Sequence, residues 1–303
     1  MHSYSKPLAL GHKYLKNLFD GTIVIQEKVD GSQLSFGVYP HDEVEVLVLR
    51  IKSRNQMIDG HNPGMFDKAV LTIEELWQQG LLTVGYTYRC EYLSKPKHNT
   101  LAYARVPEGN IILFDVDKGD CDYMFPSELD HEARRLGLES VPYFYFGKGS
   151  DFSPSDLKKM LDNESILGNV KVEGVVVKNY DRLFSDGKVM MGKLVSEDFK
   201  EKHNKSWKKA NPSSGSLIDE VVAEFGSKAR WHKALQHLEE NGELVNAPQD
   251  IPALMREFNK DFEEECSEEI KEFLWGKIRK EVIRRVGKGL PEWYKDYLND
   301  NIY

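Results

Sequence analysis

Cysteine is scarce in this chain, with only Cys90, Cys121 and Cys266 among 303 residues. Three thiols so far apart build neither a disulfide framework nor a cysteine-rich zinc site, which fits a reducing compartment. Each reads as a small buried hydrophobe. Long apolar runs are also missing: nothing approaches the roughly 20 residues needed to cross a bilayer, which excludes a membrane span. The first residues, MHSYSKPLALGHKYLKNLF, have no sustained apolar region and no small-residue cleavage site. A secretory signal is therefore not expected, and a cytoplasmic protein is. An excess of positive charge is lacking too. A net charge of −8 argues against a protein that coats nucleic acid through bulk charge, yet leaves room for basic residues converging in a cleft. The nine histidines form no metal-ligand spacing, and Trp231 and His232 read as packing residues.

What is present is ordinary for a globular chain, 40% hydrophobic and 30% charged, and long enough for two domains. The first two hundred residues carry short β-branched and aromatic runs, among them TIVIQEKV, SQLSFGVY, TVGYTYRCEYL, NIILFDVD, VEGVVVKNY and KVMMGKLV. Several alternate with the period of half-buried strands. Helices are expected around MFDKAVLTIEELWQQG, in SELDHEARRLG behind a serine cap, and in SPSDLKKMLD. The runs are neither uniformly apolar nor spaced as strand–helix–strand units, so the expected fold is α+β with a mainly antiparallel sheet. No repeat of solenoid spacing is present. At NPSSGS, residues 211–216, the texture becomes that of a linker, and apolar residues then recur at three- and four-residue steps. The expected organisation is a domain over 1–210, a linker at 211–216 and a small all-helical domain over 217–303.

Three segments carry the chemistry. Glu27-Lys28-Val29-Asp30-Gly31-Ser32 lies between two strand patterns, with a lysine at a strand end and a glycine that permits a tight turn. Taken alone, it fits a surface hairpin turn better than a catalytic site. Glu173-Gly174-Val175-Val176-Val177-Lys178 places an acid and a lysine at the ends of an apolar strand. Side-chain alternation puts Glu173, Val175 and Val177 on one face and Lys178 on the other, unless a bulge intervenes at Gly174. Taken alone, it fits a core strand with charged ends equally well. Val189-Met190-Met191-Gly192-Lys193-Leu194 adds a third lysine.

In this order and spacing the three segments resemble motifs I, IV and V of the covalent nucleotidyltransferase superfamily, which contains DNA ligases, RNA ligases and mRNA capping enzymes. Ser53-Arg54-Asn55 resembles motif Ia, Tyr88-Arg89-Cys90-Glu91-Tyr92 motif III, and Leu113-Phe114-Asp115-Val116 motif IIIa. Six motifs in order over residues 27–193 are far more specific than any one. Glu27 before the lysine, the long polar segment between Glu91 and Phe114, and a helical C-terminal region resemble the phage-type RNA ligase 2 family. A β-barrel domain after motif V, usual in many DNA ligases and capping enzymes, has no matching strand pattern here. The chain departs from that family at Met191, where a lysine is usual, and Lys188 is the candidate substitute.

The resemblance implies an ATP-dependent RNA ligase using Mg²⁺ or Mn²⁺, a monomer acting on the ends of RNA or RNA:DNA duplexes. It implies that Lys28 attacks the α-phosphorus of ATP, that the AMP passes to a 5′-phosphate, and that a 3′-hydroxyl then displaces it. Lysine must be neutral to attack, so the pKa of Lys28 is expected to fall beside a metal ion, Lys178 and Lys193. Glu173 is the candidate metal ligand through water. Glu91 is assigned to a ribose hydroxyl, Phe114 to stacking on adenine, Glu27 to the adenine edge, and Lys178 and Lys193 to phosphates. Arg54, a forked donor, suits a phosphate of AMP or of the substrate 5′ end. Asp30 is expected to orient the motif I loop. Lys200, Lys202, His203, Lys205, Lys208 and Lys209 around Trp207, and the basic run from Lys277 to Lys288, are candidate nucleic-acid contacts or solvated faces. The alternatives are a minimal ATP-dependent DNA ligase, a capping guanylyltransferase, and a noncatalytic end-binding protein with a decayed site.

Overall fold

A computed structural model describes residues 1, 3–41, 44–54, 56–196 and 217–301. Asn55, the basic segment around Trp207 and the linker at 211–216 lie outside the described residues.

Ten strands form two five-stranded sheets among the described residues. The first has the order β1 (Leu8–Ala9), β10 (Val189–Val195), β9 (Gly174–Leu183), β2 (Thr22–Lys28) and β8 (Tyr143–Lys148). The second runs β4 (Leu47–Ser53), β3 (Ser32–Pro40), β5 (Thr87–Tyr92), β6 (Ile111–Asp117) and β7 (Glu139–Ser140). Pairing is antiparallel except at β1/β10 and β6/β7, so the α+β expectation holds.

Each sheet has its own core, as the alternating patterns require. Phe36, Tyr88 and Leu113 of the second sheet pack against Val70, Ile73 and Leu76 of α1 (Asp67–Gln78) and Leu129 and Ala133 of α2 (Pro126–Arg135). Ile23, Ile25, Val175 and Val177 of the first sheet pack with Leu157 of α3 (Pro154–Met160). Helix α2 starts one residue before the serine expected to cap it. Pro126 takes the first turn, and the Glu128 carboxylate accepts the Phe125 N–H at 2.9 Å. Strands β2 and β3 are consecutive yet belong to different sheets. The turn joining them, which carries motif I, therefore lies where the sheets meet.

The C-terminal part is helical as expected: α4 (Leu217–Phe225), α5 (Lys228–Glu240), α6 (Ile251–Val286) and α7 (Leu290–Asn301). Helix α5 buries Ala234 and Leu238 and packs along α6. Trp231 and His232 are exposed, Trp231 at 49%, which corrects their reading as packing residues. Trp231 shares the helical phase of Ala234 and Leu238 but lies in the first turn of α5, and His232 lines a cavity. Cys90 and Cys266 are buried, but Cys121 is only half-buried, in a turn, and all three thiols are free. No described helix is long and apolar enough to cross a membrane.

Candidate active site

The motif I turn is fixed by close backbone packing. A Cβ added to Gly31 would lie 2.6 Å from the Tyr92 carbonyl oxygen, so only glycine lets β5 approach this closely. The loop after β5 then braces the turn. Asp30 Oδ2 accepts N–H groups from Thr100 and Leu101, each at 2.8 Å, while the Asp30 N–H donates to the Tyr103 hydroxyl at 2.7 Å. Asn99 Nδ2 donates to the Gly31 carbonyl at 2.9 Å. Asp30 thus orients the loop, as expected.

Lys28 is the last residue of β2 and lies opposite Gly174, the first of β9. A Cβ at Gly174 would meet the Leu194 carbonyl oxygen at 2.3 Å, which again excludes any other residue. Register brings the Lys28 ammonium to Glu173 Oε2 at 2.6 Å across 145 positions of sequence. Glu173 precedes the strand and so escapes its alternation. Val175 and Val177 are fully buried in the sheet core, whereas Glu173 lines the cleft with Val176 and Lys178. The expectation that Glu173 and Lys178 face opposite ways is corrected.

Charge here is unbalanced. Asp30, Glu91 and Glu173 all act on Lys28. Burial works to lower the Lys28 pKa, but Glu173 and Glu91 override it and the net direction is upward. The expected fall is therefore not found: the carboxylates outweigh burial, and Lys178 is engaged elsewhere. The Lys178 ammonium is buried at 2% exposure and donates to Asp115 Oδ2 and the Phe114 carbonyl, both at 2.8 Å. Burial lowers its pKa and Asp115 opposes the shift. Asp115 also accepts the hydroxyls of Tyr4 and of Tyr180, the latter at 2.6 Å.

The remaining candidates occupy varied positions. Lys193 on β10 lies opposite Val176 and pairs with Glu265 of α6 at 3.3 Å. Burial lowers its pKa; Glu265 resists, and Lys233 and Lys28 push it further down. Glu91 and Arg54 are half-buried and line the cleft, as does the half-buried Phe114, whose ring lies 5.3 Å from the Lys178 ammonium and 5.2 Å from Tyr4. Glu27, expected at the adenine edge, lines the same cavity as Lys28, but its carboxylate is held by the segment at 165–166. There it accepts from the Ser165 hydroxyl at 2.5 Å and the Ile166 N–H at 3.1 Å. Met191 is fully buried among Tyr123, Tyr4 and Tyr180. Lys188 does not replace the missing lysine, since it lies in the β9–β10 turn, 2.8 Å from Asp186.

Lys28, Arg54, Glu91, Phe114, Glu173, Lys178 and Lys193 surround one cavity of about 1450 Å³, roofed by α4, α5 and α6. The volume exceeds the roughly 300–1,000 Å³ of ordinary small-ligand sites. Among the described residues no three His, Cys, Asp or Glu side chains form a ready metal cage. A divalent ion here would rest on Glu173 and on oxygens the protein does not supply.

Burial pushes the Glu91 carboxyl up to about 8 and that of Glu173 up to about 7, with Lys28 drawing both down. Both therefore hold protons in the fold that the unfolded chain has lost above its ordinary carboxylate pKa of 4.5. The unfolded state then binds fewer protons, so stability falls as pH rises from about 4.5 through 7 to 8. Urea unfolding at pH 5 and pH 8.5 should register this fall, and Glu91→Gln should reduce it by at least about 1 kcal/mol. An equal fall in both proteins would refute the assignment.

Comparison with known proteins adds a family. The RNA ligase family profile matches residues 21–195, more than half of the chain. The chain belongs to the RNA ligase family. No curated protein matches it. Among solved structures, it is similar to a Naegleria gruberi RNA ligase with PPi, at 20% identity over 67% of this chain, TM-score 0.49. It is also similar to a point mutant of that ligase with ATP and Mn, at 19% identity over 67% of this chain, TM-score 0.49. A second mutant, with AMP and Mn, matches at 20% identity over 66% of this chain, TM-score 0.47. The chain spans 58% of the length of each of these three.

The matched segment of this RNA ligase family member contains all six motifs but not the helices that roof the cavity. Gln236 of α5 donates to the Ser32 hydroxyl at 2.7 Å, and Gln56 donates to the Glu240 carbonyl at 3.0 Å. Neither contact has a motif to announce it. The basic run at 277–288 is exposed, with Lys277 held by Glu220 at 2.7 Å and Arg284 and Arg285 by Glu281.

Proposed function

We propose that this RNA ligase family member is an ATP-dependent RNA ligase that joins 3′-hydroxyl and 5′-phosphate ends through a lysyl-AMP at Lys28. The observation that carries the reading is the Lys28–Glu173 pair at the floor of a cavity also lined by Arg54 and Lys193. In the first step the Lys28 nitrogen, having lost a proton, forms a bond to the α-phosphorus. The bond from that phosphorus to the bridging oxygen breaks, and its electron pair leaves with pyrophosphate. AMP then passes to the 5′-phosphate, and a 3′-hydroxyl displaces it as the strand closes. Each step is a phosphoryl transfer, so positioning and charge neutralisation do most of the work.

Phe114 offers adenine a stacking face and Glu91 offers the ribose an acceptor. Arg54 and Lys193 neutralise phosphate, and Lys178 does so only by sharing its Asp115 contact. The residues present fit Mg²⁺ or Mn²⁺ through one carboxylate, Glu173, which lines the cavity beside Lys28, with the other ligand positions left to water and phosphate oxygens. A divalent ion at Glu173 would supply positive charge that favours the neutral amine of Lys28. The unpaired thiols suit a reducing, cytoplasmic setting. In this reading residues 1–210 perform adenylylation as a monomer, and 217–303 form a second domain that closes over it.

RNA is preferred to DNA because the resemblance to RNA ligase 2 implies that the site reads ribose geometry on the 3′-hydroxyl side of a nick in duplex RNA or an RNA:DNA hybrid. Four nicked duplexes of one sequence, with RNA or DNA on each side of the break, test this. Nicks with ribonucleotides at the 3′-hydroxyl end should seal at least about tenfold faster than all-DNA nicks, about 1.4 kcal/mol in the barrier. Equal rates on all four, or a faster all-DNA nick, would favour a DNA ligase.

A further inference from the structure

Behind Lys193 the cavity holds an unusual concentration of cations. Glu265 of α6 is a single carboxylate with Lys193 at 3.3 Å, Lys233 at 3.0 Å, Lys6 at 3.5 Å and Arg230 at 3.6 Å. Its side chain is only 16% exposed. One carboxylate carries one charge over two oxygens, whereas four cations converge on it. Asp261, at 5% exposure, holds Lys233 and lies 3.9 Å from Arg230, so these two cations stay anchored whatever Glu265 does. Lys193 has no other ion pair among the described residues, and its one contact is long. It is the cation most easily won by a stronger anion.

The placement of the cluster gives it a direction. Lys193 feels the charges of both Lys28 and Lys233. Lys193 stands across β9 from Lys28, opposite Val176 where Lys28 is opposite Gly174, and it shares Glu265 with Lys233 of α5, so it links the nucleophile's side of the cavity to α5. When the Lys28 nitrogen bonds to the α-phosphorus, the departing pyrophosphate moves away from Lys28 and needs cations on that far side. The polyphosphate tail carries three to four negative charges and several anionic oxygens, a better match than one carboxylate for the three of these cations that line the cavity, Lys193, Lys233 and Arg230. Glu265 can withdraw by a side-chain rotation that leaves α6 intact.

We propose that Lys193, Lys233 and Arg230 form the seat of the nucleotide's polyphosphate tail, and that Glu265 is a resident anion which the tail displaces. The proposal rests on the adenylylation reading above. Two of the three cations come from α5, so nucleotide occupancy ties the helical part to the sheets. Lys233 and Arg230 thereby join the site from outside the matched family segment.

The test is calorimetric titration of the full chain with inorganic pyrophosphate at fixed Mg²⁺, with a 5′-phosphorylated oligonucleotide as the second arm. Lys233→Ala should weaken pyrophosphate binding at least tenfold. Glu265→Gln, which removes no cation and leaves the helix intact, should tighten it at least threefold, an outcome that misfolding cannot imitate. The ATP concentration for half-maximal labelling of Lys28 should shift in the same two directions. Unchanged pyrophosphate affinity in both variants overturns the proposal. Changes confined to the oligonucleotide also overturn it, and assign the cluster to the substrate 5′-phosphate. Absence of Lys28 labelling in the unaltered protein, with pyrophosphate binding responding as stated, would defeat the adenylylation reading while leaving the anion seat intact.

Discussion

Lys28→Ala should abolish the transfer of label from α-labelled ATP to the protein, by more than about a thousandfold, because the proposed intermediate is a bond to that side chain. No neighbouring amine can take its place. Lys178 is buried against Asp115 and the Phe114 carbonyl, and Lys193 is drawn towards α6 by Glu265. Lys28→Arg should be equally inactive, since a guanidinium stays protonated and cannot attack. Incubation with ATP and Mg²⁺ or Mn²⁺, followed by denaturing electrophoresis and mapping of the labelled peptide, checks this. Label retained on either variant, or found on another residue of the unaltered protein, would remove Lys28 from the chemistry.

The second large effect is on stability. Asp115 is wholly buried and serves three donors at once: the Lys178 ammonium and the hydroxyls of Tyr4 and Tyr180. Asp115→Ala leaves the buried Lys178 charge with only a carbonyl, and removing one partner of a buried pair costs about 3–5 kcal/mol. Urea unfolding should register that loss. Lys178→Met added to Asp115→Ala should recover part of it, because no charge is then stranded. A single-variant loss below about 1 kcal/mol would show that Lys178 finds other compensation.

Much of this arrangement was legible in the sequence. Alternation marked the strands, three- and four-residue steps marked the helices, and the ordered motifs named Lys28, Glu91, Phe114, Glu173 and Lys193 as partners in one cleft. Facing was less legible. Glu173 reads as a strand residue but lies one position before the strand, and nothing in the sequence pattern announces that the Glu27 carboxylate is held by Ser165. Asp115 stands in motif IIIa beside Phe114, and nothing in the local pattern gives it a partner. Its meeting with Lys178 depends on how two sheets approach, which no local pattern encodes. Lys188 looked like a replacement for the lysine missing at Met191, yet a turn takes it to Asp186. The pairing of Lys193 with Glu265 joins residues 72 apart, on opposite sides of the segment at 197–216.

The two glycines that touch backbone on either side of the Lys28–Glu173 pair have a consequence for mutational scanning. At Gly31 and Gly174 a single added methyl group collides with a carbonyl oxygen, so alanine there must push strands apart and shift the reacting groups. Both positions will score as intolerant, on the same scale as the nucleophile, though neither contributes a proton, a charge or a ligand. A ranking by activity alone would count them among the chemical residues. Only a parallel measure of folded abundance would separate positions that perform the reaction from positions that keep its distances.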